Sequence, residues 1–146
     1  MMSNPSNMDF SSFEHLAAMK AMVLLALADD AFTSEERAVI DEFVKAAGFE
    51  ESARLELDEM IGAPPSISAV LAGVTRSHAR RAILCQLLEV AWADDNYSVE
   101  ERALIRKAAS EMELEDSWVE QLEDWMAEGR DWLARGHQLL GPKKST

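Results

Sequence analysis

The chain has 146 residues, 48% of them hydrophobic, with 27 acids against 14 basic residues and a formal net charge of −13. That length predicts one domain large enough to bury a core, and the composition excludes a disordered chain. The charge makes nucleic acid and anionic membrane poor partners and favours divalent cations and basic proteins.

Residues 1–9 are polar and expected to be flexible. Ser11 and Glu14 then have capping-box spacing, in which the serine hydroxyl and the glutamate carboxylate each accept a backbone N–H of the other. Phe13, Leu16, Ala17, Met19, Val23, Leu24 and Leu27 recur at helical spacing, which predicts a first helix to about Asp29. Its greasy segment is too short to span a membrane. The first residues also lack the basic start of a secretory signal. Together these predict a cytoplasmic protein. Thr33 and Glu36 form a second capping box, for a helix to about Ala47, and Gly48 suits its left-handed end. A third helix fits Glu51–Ile61, and Gly62-Ala63-Pro64-Pro65 breaks it.

A short helix is expected from Ser66 to about Val74 and a long one from Ser77 to Asp94. Ser98 and Glu101 repeat the capping box and open a helix to Met112. The last helix runs from Asp116 to Leu140, and residues 141–146 form a flexible tail. Strand signals are absent. The only cysteine, Cys85, lies in an apolar run and reads as a buried thiol in a reducing compartment.

The chain repeats itself. Residues 26–40 return as residues 91–105, offset by 65, with 9 of 15 pairs identical. The internal repeat covers 17–61 and 82–126. The expected fold is all-α: a compact bundle of about seven helices, built from two related helix–loop–helix halves within a single domain, 10–140.

Each copy carries the pattern Asp-Asp-x-(Phe/Tyr)-(Thr/Ser)-x-Glu-Glu-Arg. Thr33 and Ser98 cap helices, and the first-turn glutamates suit the positive end of the helix dipole. Phe32 and Tyr97 are expected to tuck inward. Arg37 and Arg102 are expected to reach back to the paired aspartates. The functional reading is a metal site. Asp29, Asp30 and Glu36, or Asp94, Asp95, Asn96 and Glu101, place hard oxygen ligands in one corner, which suits calcium. Neither corner offers Cys or His to zinc. Neither is an EF-hand loop, since Val99 and Ile105 stand where glycine and glutamate are required. Weak binding is therefore expected, in the range of roughly 10⁻⁴ to 10⁻³ M. The second corner is favoured because Asn96 adds an oxygen where Ala31 has none.

This twice-used pattern resembles the TerB-like family, named for a tellurite-resistance protein. The resemblance covers roughly Phe13 to Trp132. It implies a compact helical domain, an acidic surface associated with metal, a role in complexes and no established enzyme activity. Related domains occur fused to DnaJ-like co-chaperones and in bacterial stress clusters. The family's acidic positions fall on Asp29, Asp30, Glu36, Asp94, Asp95 and Glu101. This chain has Asp30 and Asp95 where the family often has glycine, which adds charge and stiffens the turn.

Trp118, Trp125 and Trp132 are spaced by seven, with Leu139 continuing the row and Gly129 and Gly136 beside it. Such a stripe either covers the core or docks a partner helix, an unknown protein or a second copy of this chain in a homodimer. Arg76, Arg80 and Arg81 are expected to pair with carboxylates. No phosphate loop, catalytic triad or His-Glu-x-x-His occurs, so no catalytic residue and no cofactor beyond a divalent cation is assigned. The function expected is a non-enzymatic domain of stress, tellurite or metal-ion response, with a protein-interaction module as the alternative.

Overall fold

The computed structural model describes residues 10–28, 33–47, 55–56, 59–60, 62–93 and 97–141. Six helices are delimited among them: α1 (Ser12–Leu27), α2 (Ser34–Ala47), α3 (Ile67–Leu71), α4 (Ser77–Trp92), α5 (Val99–Glu111) and α6 (Asp116–Leu140). The helix expected over residues 51–61 lies largely outside the described residues. Its described positions are helical, and the Ala63 N–H donates to the Glu59 carbonyl at 2.9 Å.

The two apolar helices, α1 and α4, open the two halves and pack on each other at the centre. Ala18, Met22 and Leu25 of α1 and Ile83, Leu84 and Leu87 of α4 are fully buried. Both helices bury residues around most of their circumference, as central helices must. The small alanines let the axes approach closely, and the methionines fill what remains. α2 and α5 are amphipathic and wrap this pair. Their equivalent residues Ile40 and Ile105 point into the same core. α3 bridges α1 and α5, and α6 lies across α4 and α5.

Local chemistry sets the helix starts. Ser11 and Glu14 exchange hydrogen bonds of 3.2 and 2.8 Å, as the capping box requires. α5 ends in a Schellman turn: the Leu114 N–H donates to Ala109 and the Glu113 N–H to Ser110. Glu113 holds the left-handed position at φ 58° without being glycine. That turn reverses the chain and aims α6 across the body.

Candidate cation corner

The corners begin as helix starts. In the first, the Thr33 N–H donates to Glu36 Oε1 at 3.0 Å, and the Glu36 N–H donates to Thr33 Oγ1 at 3.1 Å. In the second, the Ser98 N–H donates to Glu101 Oε1 at 3.0 Å, and the Glu101 N–H donates to Ser98 Oγ at 3.1 Å. Glu36 and Glu101 are each only 1% exposed. Both were expected as ligands, and each already spends one oxygen on its cap.

The second oxygen of Glu101 is different. Oε2 is buried and accepts no hydrogen bond among the described residues. The Trp92 indole N–H is likewise buried without an acceptor among the described residues. In sequence these two groups flank residues 94–96. Buried polar atoms usually have partners, so an orphaned carboxylate oxygen calls for a physical explanation.

Tyr97 locks this corner to α6. Its hydroxyl donates to Glu123 Oε2 at 2.8 Å, while Glu123 Oε1 accepts from Arg106 at 2.6 Å. Burial, and then the Glu123 carboxylate, raise the tyrosine pKa. Its ring lies 5.4 Å from that of Trp92. The inward tuck expected of Tyr97 is thus present, and Phe32 lies outside the described residues.

The aspartates that Arg37 and Arg102 were expected to reach lie outside the described residues, and among the described residues each arginine has another neighbour. Arg37 lies 3.9 Å from Asp41, one turn along its own helix. Arg102 sits over the Tyr97 ring at 5.0 Å. Asp29, Asp30, Asp94, Asp95 and Asn96 lie outside the described residues. Among the described residues, no three His, Cys, Asp or Glu side chains converge on a common point.

A family model described as tellurite resistance protein TerB matches residues 15–124. The chain belongs to the TerB family. No curated protein and no solved structure matches it.

Within this TerB domain the basic cluster does structural work. Arg76, at the start of α4, grips Glu14 at the start of α1 with two hydrogen bonds of 2.8 and 2.5 Å. The bidentate guanidinium holds the Glu14 carboxyl down to about 2 against the opposing effect of burial. The expected pairing of Arg76 with a carboxylate is present, and its partner was not legible in sequence because the two residues are 62 apart. The cluster of three arginines in an acidic chain was the signal in the sequence. Arg80 donates to the carbonyls of Val74 and Met112, and Arg81 stacks over Trp118. Burial raises the Cys85 thiol to about 11, as befits a packed, unreactive group.

The tryptophan stripe divides in two. Trp118, Leu122 and Met126 pack on the core around buried Val119. Trp125 is 50% exposed and Trp132 75%, and Leu133, Leu139 and Leu140 are open as well. These open residues lie beyond position 124, where the TerB match ends. No helix among the described residues is long and apolar enough to cross a membrane.

Proposed function

We propose that this TerB domain is a non-enzymatic, cytoplasmic module whose acidic corners take up a divalent cation weakly, calcium before others, in a stress, tellurite or metal-ion response. The observation that carries this reading is Glu101 Oε2, a buried carboxylate oxygen with no donor among the described residues. Leaving such a group unpaired costs stability, and a cation compensates it directly. Asp94, Asp95 and Asn96 precede it closely in sequence and supply the further oxygens that calcium needs. Glu36, with Asp29 and Asp30, supplies the same residue types in the first half of the sequence.

The test is thermal unfolding in calcium, magnesium and manganese titrations at fixed ionic strength. A cation at 100 times its Kd adds about 2.7 kcal/mol, and Asp94→Asn/Asp95→Asn removes that gain. A flat response in the unaltered protein rejects the cation site.

One observation favours a second reading, a protein-interaction module. Trp125 and Trp132 are open on a face that soluble domains normally cover. The partner is then a protein, with no role for nucleic acid.

A further inference from the structure

The open face of α6 is self-complementary. Gly129 and Gly136 occupy one heptad position and Trp125, Trp132 and Leu139 the position three residues further on, the two rows continuing back to the part-covered Leu122 and Trp118. These are the two positions that form a helix–helix seam, here with small residues at one and large residues at the other. A Cβ added at Gly129 or Gly136 meets nothing within 4 Å. The glycines therefore serve no packing need inside the monomer, although each costs about 1 kcal/mol of helix propensity.

Building on the interaction reading above, we propose that this face pairs with α6 of a second copy, as an antiparallel two-helix seam with each tryptophan seated over a glycine. One antiparallel register brings Trp132 opposite Gly129 of the second copy, Trp125 opposite Gly136 and Leu122 opposite Leu139. By two-fold symmetry every one of these layers occurs twice. The same register sets Glu128 against Arg135 along one flank and Met126 against Leu133 along the other. The pairing is thus complementary in size, charge and hydrophobicity at once. A parallel pair would stack glycine on glycine and tryptophan on tryptophan, alternating voids with crowding. It would also set Glu128 against Leu133. Met126 already packs on the core, so Leu133 of the second copy would extend an existing apolar surface.

Sedimentation equilibrium on the full chain tests the proposal, with the expected result a reversible dimer. Gly129→Leu/Gly136→Leu fills the two recesses and raises the dimer Kd by more than about a hundredfold. A Cβ at either position meets nothing within 4 Å and leucine favours the helix over glycine, so the variant is expected to stay folded by circular dichroism. Glu128→Arg and Arg135→Glu each weaken the dimer about fivefold, and the double swap restores it. A dimer indifferent to the leucines, or not rescued by the swap, overturns the register. A monomer whose tryptophans remain open to a soluble quencher overturns self-pairing but leaves a different protein as occupant. A monomer whose tryptophans are shielded overturns the docking-face reading too.

Discussion

The two halves share a plan and part company at their third element. In the first half, Gly62-Ala63-Pro64-Pro65 ends the helical stretch, and Met60 is 3% exposed against the core. The repeat places Trp125 at the position equivalent to Met60, and there it is 50% exposed. Ala127-Glu128-Gly129-Arg130 replaces the proline break, so α6 continues to Leu140. Two prolines remove donors and clash with the preceding turn, whereas one glycine only weakens a helix. A few residues thus decide whether the element turns back into the core or runs on to present a face.

The comparison is most severely tested in the shared core. Ile105→Ala is expected to cost about 3 kcal/mol in urea unfolding, and its counterpart Ile40→Ala a similar amount. Both variants should still unfold in one transition, because α1 and α4 join the halves along one seam. Two separate transitions would break the picture of a single core.

The clamp between the halves comes next. Arg76→Ala strands the buried Glu14 carboxylate, and a loss of about 2 kcal/mol is expected for this partly exposed arginine. Since Glu14 has its carboxyl pKa held down to about 2 in the fold, its contribution is present above the unfolded value. It is lost as pH falls from there toward about 2. Acid unfolding of Glu14→Gln should therefore be flatter in that window than that of the unaltered protein.

The caps form a matched pair. Thr33→Ala and Ser98→Ala should each cost about 1 kcal/mol by thermal unfolding. If the second corner holds a cation, added calcium should widen the difference between them. Smaller still is the effect at the Schellman turn. Glu113 occupies the left-handed position whose first-half counterpart in the repeat is Gly48. Glu113→Gly should stabilise the domain by about 0.5 kcal/mol, since only the side chain is strained there. A loss of stability would mean that the Arg80–Glu113 approach at 3.9 Å matters more than the backbone.

The features legible in the sequence share a physical property: they are local. Ser11, Thr33 and Ser98 each bond a glutamate three residues on, so spacing alone identifies them. The helical period and the proline break are local too, and the repeat at offset 65 revealed two equivalent halves. Assignment to the TerB family needed no more than this pattern.

Other features required tertiary structure because their partners are remote or their environments collective. Glu14 and Arg76 meet only when α1 packs on α4. Arg102 lies over the Tyr97 ring, a contact that the repeat pattern did not single out. Nothing in the order of residues distinguishes the two oxygens of Glu101, and only the closed core leaves one of them without a donor among the described residues. The tryptophan row reads as one uniform stripe in sequence. The body of the domain covers Trp118 and leaves Trp132 open, because α6 outruns the helices beneath it.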